Sequence, residues 1–167
     1  MGWLDRFKTP NEPLPTLAFR YAPTTGETLR QKRQRFSMMF ADLLLWANKQ
    51  HGFVALQEET KRAPLQAEFN ALGDLERNKL AALIQSKYPT VAAQVRACGN
   101  GSRRSLHVDG LAGDVSLFVN GELAKGVLDY QPLGIFWESL SVDACWGGHF
   151  ISNPDGPHFS IEHEGRK

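Results

Sequence analysis

The chain's 167 residues suit a single domain with a sizeable core, and its hydrophobic (42%) and charged (22%) fractions are ordinary for a globular protein. A formal net charge of +1 rules out a general basic field, so nucleic-acid binding has no compositional support. The two cysteines, Cys98 and Cys145, lie outside any Cys-x-x-Cys motif; they could pair with each other, but the simpler reading is two small buried thiols, and no apolar run approaches the ~18 residues of a spanning helix.

In chain order, residues 1–27 carry Pro10, Pro13, Pro15 and Pro23, which break regular structure and suggest an extended arm. The opening Met1-Gly2-Trp3-Leu4-Asp5-Arg6 has neither a signal-peptide pattern nor the Ser or Thr that myristoylation wants at position 6. Residues 28–50 read as the main helix. Thr24 with Glu27 fits a capping box, or Thr28 is itself the cap; Phe36, Met39, Phe40, Leu43 and Ala47 recur at helical spacing, and Gly52 is placed to end it. The run Arg30-Gln31-Lys32-Arg33-Gln34-Arg35 reads as a solvated first turn. Residues 53–56 are a predicted strand. Pro64 fits a helix start and Gly73 its end. Asp74 caps a further helix carrying Leu75, Leu80, Leu83 and Ile84, and residues 89–98 make a short one with Val91 and Val95 inward.

Residues 103–107 read as a strand end, followed by a strand over 114–119 with a hairpin signal at Asn120-Gly121. Tyr130, Leu133, Trp137 and Leu140 form one apolar helix face, a packed core stripe, and residues 157–162 close the chain's regular structure as a strand presenting His158.

Two stretches carry chemistry. Ser105-Leu106-His107-Val108-Asp109-Gly110-Leu111-Ala112-Gly113-Asp114 offers an imidazole, a tight turn and a carboxylate; Asp155-Gly156-Pro157-His158-Phe159 offers a carboxylate and an imidazole three residues apart. Two imidazoles and one carboxylate are a common ligand set for catalytic zinc, whose fourth position stays open. The remaining carboxylate can serve as a base. Gly110 allows a sharp turn after His107, and on a strand Ala112 and Asp114 share a face, the small Ala leaving room beside a ligand. His51, His149 and His163 lack such partners and read as structural.

The pattern S-x-H-x-x-G-x-A-x-D followed by D-x-x-H-F, in the context Trp146-Gly147-Gly148 to Pro157-His158-Phe159, resembles the zinc D-alanyl-D-alanine metallopeptidase family. That family, VanY-like in its bacterial members, includes D,D-carboxypeptidases and phage endolysins of the L-alanyl-D-glutamate endopeptidase kind. The resemblance covers about residues 28–167, is specific in the last third and loose in the middle. It implies an α+β fold of the hedgehog/DD-peptidase kind, helices packed on a small, mainly antiparallel sheet, preceded by the arm at 1–27.

By the same resemblance, His107, Asp114 and His158 hold Zn²⁺, with Asp109 a decoy for Asp114 in a solvent-facing turn. Asp155 is the base, Glu138 and Asp143 standing in only if it fails, and Arg62 stabilises the oxyanion or holds substrate, because a planar donor fork suits a developing negative oxygen. Ser105, Gln66 and Trp146 are implied to bind substrate, Trp146-Gly147-Gly148 as an aromatic wall. Gly113 and Ser160 depart from the family pattern without removing a ligand. The implied activity is hydrolysis of peptidoglycan stem-peptide amides by a monomer, most simply at L-Ala–D-Glu by a phage or prophage endolysin. Such a protein is made in the cytoplasm, acts on the cell wall in the periplasm and depends on a holin-like protein for export. The alternatives are a D-alanyl-D-alanine carboxypeptidase and a non-catalytic, zinc-stabilised binding module.

Overall fold

The computed structural model describes residues 19–58, 71–97 and 105–167. The first helix, α1 (Leu29–Lys49), starts at Thr28, whose backbone N–H donates to Gln31 Oε1 (2.9 Å) while the Gln31 N–H donates back to Thr28 Oγ1 (3.3 Å). This reciprocal box satisfies two donors that helix geometry would otherwise leave open, and it selects Thr28 over Thr24 as the cap. The apolar stripe expected on α1 is buried in full, with Trp46 added to it.

Strand β1 (Phe53–Gln57) follows α1 directly and pairs antiparallel with β2 (Ala112–Val119), Ala55 opposite Leu117. Between them in sequence lie α2 (Asp74–Ile84) and α3 (Pro89–Ala97). Asn120 and Gly121, both at positive φ (52° and 84°), turn β2 into the short β3 (Glu122–Leu123). A 3₁₀ turn (Val127–Tyr130) leads into α4 (Gln131–Leu140), then β4 (Ala144–Trp146), a second 3₁₀ turn (Gly147–His149) and β5 (His158–Ile161). The strand order is β1-β2-β5-β4, every pairing antiparallel, with β3 added beside β2. The architecture is therefore α+β, helices on a small antiparallel sheet.

One core joins the layers. Trp137 of α4 meets Phe36 and Phe40 of α1 edge-on (5.7 and 6.3 Å between centroids) and Phe159 of β5 at 6.0 Å, while its indole N–H donates to the Ser160 carbonyl at 2.9 Å. A buried indole needs such an acceptor, and this one fixes α4 over β5. Ser160, the unusual residue after Phe159, is fully buried here. Among the described residues no helix is long and apolar enough to cross a membrane.

Several sequence expectations need correction. The basic run is solvated over Arg30, Gln31, Arg33 and Gln34, but not at its end: Arg35 is buried among Glu27, Asp143 and Ser141, half-buried Lys32 donates from Nζ to the Glu162 carbonyl at 2.8 Å, and exposed Arg33 donates from Nε to the Asp109 carbonyl at 2.5 Å. Lys32, Arg33 and Arg35 each reach a partner far along the chain, and sequence spacing holds no trace of that. Residues 105–110 form turns, not a strand end. Gly73, not Asp74, is the α2 cap, its N–H donating to the Glu76 carboxylate. Leu75, Leu83 and Val91 are exposed, while Ala81 and Ala92 are buried in the pair of contacting helices α2 and α3. The predicted helix from Pro64, most of the arm, and Arg62, Gln66 and Cys98 lie outside the described residues. Cys145 is a free, half-buried thiol.

Candidate metal centre

Three elements deliver the site. His107 comes from the turns before β2. The His107 carbonyl accepts from Gly110 N–H (3.1 Å), and Leu111 N–H donates to the Leu106 carbonyl (2.9 Å), so the chain doubles back and enters β2. Gly110 sits at φ +65°, where a side chain would be strained. Asp114 is the third residue of β2, and the β2–β5 register sets it directly opposite His158, the first residue of β5. Residues opposite one another on antiparallel strands carry neighbouring side chains. The register thus brings one carboxylate and one imidazole together before any local contact is considered.

The side chains converge. His107 Nε2 lies 3.3 Å from His158 Nδ1 and 3.5 Å from Asp114 Oδ1, and His158 Nδ1 lies 3.3 Å from that same oxygen. Among the described residues this is the group of side chains whose ligand atoms are close enough to share a metal ion. The donor set fits zinc: ligand bonds of ~2.0–2.1 Å in a tetrahedron put neighbouring ligand atoms ~3.3–3.4 Å apart, the spacing seen here. Burial alone would raise the Asp114 carboxyl, but hydrogen bonds to His107 and His158, and their charge, outweigh it and hold the group well below the ordinary carboxylate range. The ligand oxygen is therefore ionised wherever the protein is folded at ordinary pH.

Asp155 stands beside this cluster. Its N–H donates to the Gly147 carbonyl (2.9 Å), and its own carbonyl accepts from His158 N–H (3.3 Å). Trp146 Nε1 donates to the Gly156 carbonyl at 2.8 Å, and Val115 N–H to the Pro157 carbonyl at 3.0 Å. Three of these hydrogen bonds clamp residues 155–157 between β2 and the end of β4, and the fourth, from His158 to Asp155, closes the segment's own turn. Gly147 makes the close approach possible: a Cβ there would meet the Asp155 carbonyl oxygen and lie 2.8 Å from His158 Cβ. Asp155 is exposed as a residue, yet partial burial of its carboxyl raises its pKa; Asp114 adds to this, while His158 and His107 oppose it.

The other expected site residues fall in different places. Ser105 Oγ accepts from His107 N–H (3.3 Å), so it braces the ligand's own turn. Trp146 is 3% exposed, so its ring supports the 155–158 loop and offers little surface to a ligand. Glu138, a reserve base, is engaged by Trp146 N–H (3.2 Å) and by His149 (3.1 Å). Asp143, the other reserve, pairs with Arg35. Asp109 is bound to Arg166 at 2.6 Å instead of facing solvent. Sequence reasoning passed over Phe150, whose ring lies 5.6 Å from that of His158. Its place three residues after Gly147 was the only signal.

With the geometry in view, the fold, helices on a small antiparallel sheet, is one shared with a solved bacterial peptidase. A crystal structure of the L-Ala D-Glu endopeptidase ChiX of Serratia marcescens superposes with a TM-score of 0.50 at 16% identity, over 88% of this chain and 89% of that one. A second similar structure is a vancomycin-resistance D,D-pentapeptidase, VanY, solved with Zn(II), at TM-score 0.41 and 16% identity over 76% of this chain and 70% of that one. No protein-family model matches the chain, and no curated protein matches it by sequence.

Proposed function

We propose that this chain is a zinc-dependent peptidase of peptidoglycan stem peptides, cutting within the peptide at L-Ala–D-Glu as a phage or prophage endolysin does. The observation that carries the reading is the meeting of His107, Asp114 and His158 within 3.5 Å of one another, with Asp155 held beside them. The likeness in fold to an L-Ala D-Glu endopeptidase supports the substrate class.

His107 Nε2, His158 Nδ1 and Asp114 Oδ1 would hold Zn²⁺ on this reading. When bound, the ion polarises the scissile carbonyl and makes water a better nucleophile. Asp155 accepts the proton from the attacking water and returns it to the leaving amine, a role for which a raised carboxyl pKa is suited because it brings acid and base forms closer in energy. Asp114 remains ionised and acceptor-only, so it serves as ligand and not as base. Arg62 is assigned the oxyanion and Gln66 the substrate backbone, on the sequence motif alone.

The test uses a stem peptide with a free C-terminus and the same peptide amidated, each incubated with zinc-loaded protein and resolved by mass. Cleavage of both between L-Ala and D-Glu at similar rates is expected. Release of free D-Ala from the unblocked peptide, abolished by amidation, would replace the endopeptidase with a carboxypeptidase. Absence of any cleavage by a protein that binds zinc would favour the binding-module reading.

A further inference from the structure

A metal-bound imidazole is ordinarily oriented through its second ring nitrogen, which donates to a carboxylate or carbonyl. His107 has no such brace among the described residues: its Nδ1 is buried and without a hydrogen-bond partner, and the residue is 2% exposed. Its orientation must therefore come from the backbone that carries it. That backbone is gripped from outside. Asp109, two residues on, is held twice: its carboxylate pairs with Arg166 (2.6 Å), and its carbonyl accepts from Arg33 Nε (2.5 Å). The stem of Arg33 also packs over Gly110, with Cγ and Cδ 3.9 Å from where a Cβ would stand. The Arg166 end is fixed in turn, since His163 and Arg166 pair backbone to backbone at 3.0 and 3.1 Å and Lys32 holds the Glu162 carbonyl.

We infer that Asp109, Arg166 and Arg33 form a clasp that positions His107 for the metal. The inference rests on the zinc reading above, and it makes the motif's second carboxylate, Asp109, the anchor of the ligand turn. The Asp109–Arg166 pair is well shielded (side chains 24% and 19% exposed) and short, so it constrains the turn better than a surface pair would. Each of the three residues acts through His107.

The experiment compares wild type with Asp109→Asn, Arg166→Ala, Arg166→Lys, the Asp109→Asn/Arg166→Ala double variant, and Arg33→Met, which keeps the stem over Gly110 but removes the Nε donor. Each protein is loaded with Zn(II), and zinc is titrated away with a chromophoric chelator while the melting temperature is recorded separately. Support braces of metal ligands typically contribute about ten- to a hundredfold in metal affinity. Asp109→Asn and Arg166→Ala are expected to weaken zinc binding by a factor in that range, the double variant no more than the worse single, and Arg166→Lys to restore part of the loss. Arg33→Met is expected to weaken binding in the same direction. Variants that lower the melting temperature but keep wild-type zinc affinity would overturn the clasp, leaving Asp109–Arg166 a mere staple of the fold. A wild type that takes up no zinc would overturn the metal reading together with the clasp, whereas zinc uptake with indifferent variants would overturn the clasp alone.

Discussion

Replacing Arg35 with Met should destabilise the protein by several times the cost of losing a surface ion pair. The guanidinium is shared by two carboxylates: Nε and Nη2 meet Glu27 at 2.9 and 2.8 Å, and Nη1 and Nη2 meet Asp143 at 2.8 and 2.7 Å. The three side chains are only 9%, 8% and 12% exposed. Methionine fills most of the volume but leaves two buried carboxylates without a cation, a loss of about 3–5 kcal/mol for removing one partner of a buried pair. For a domain of this size, where 1 kcal/mol moves the midpoint by about 2–4 °C, the melting temperature should fall by roughly 6–20 °C. The loss should also depend on pH. Burial would raise the Asp143 carboxyl, but Arg35 and the Ser141 hydroxyl more than offset it, so its folded pKa is lowered. A depressed carboxyl contributes stability above its unfolded value, about 3.9, and that contribution is lost as pH falls through the folded value. The gap between wild type and Arg35→Met should therefore be widest near neutrality and narrow below pH ~4. Urea unfolding at several pH values measures this directly. A difference under ~1 kcal/mol at pH 7, or one that does not narrow in acid, would refute the account.

The remaining predictions concern the site. Asp155→Asn should retain zinc and fold but lose activity by about a hundredfold to ten-thousandfold, since an amide cannot take the proton; kinetics on the stem peptide with metal analysis of the same sample check it. Zinc at about a hundred times its dissociation constant should stabilise the wild type by about 2.7 kcal/mol and leave a His107→Ala/His158→Ala variant unmoved, as read by thermal melts with and without metal. Gly147→Ala should cost about 1–3 kcal/mol by forcing the Asp155 carbonyl and His158 apart, and should lower activity further than the melt explains; unchanged activity would mean that the loop tolerates displacement.

Much of the fold is legible in local pattern because local pattern is what sets it. The α1 stripe and the Tyr130, Leu133, Trp137, Leu140 face repeat at the helical period, and all are buried. Asn120-Gly121 announces its hairpin by chemistry confined to two residues. What failed is what depends on partners far along the chain. Arg35 looks solvated in a run of cations, yet its carboxylates lie 8 and 108 residues away. Leu75, Leu83 and Val91 look like core residues, yet they are exposed while Ala81 and Ala92 of the same helices are buried. Hydrophobicity indicated that those helices have a buried face; it did not say which face would find a neighbour.

The three proposed ligands were legible as a motif, but the reason they meet lies in the pairing of strands. Asp114 and His158 are 44 residues apart in sequence and directly opposite in the sheet. Because side chains alternate along a strand, a slip of one residue in that pairing would turn one of the two to the other face and disperse the cluster. The register is held by features with no metal chemistry of their own: Phe159 buried beneath Trp137, the Trp137 indole on the Ser160 carbonyl, and Ala112 opposite Ser160 where little space exists. The core that stabilises the sheet is thus also what sets the spacing of the site. It follows that a cavity opened under β5, as by Phe159→Ala, should weaken zinc binding as well as stability, although Phe159 supplies no ligand atom. Such a truncation costs about 3–5 kcal/mol in a packed core. If the folded fraction of that variant bound zinc with wild-type affinity, ligand spacing would have to be set by the turns at 105–110 and 155–158, and the sheet would be a passive platform.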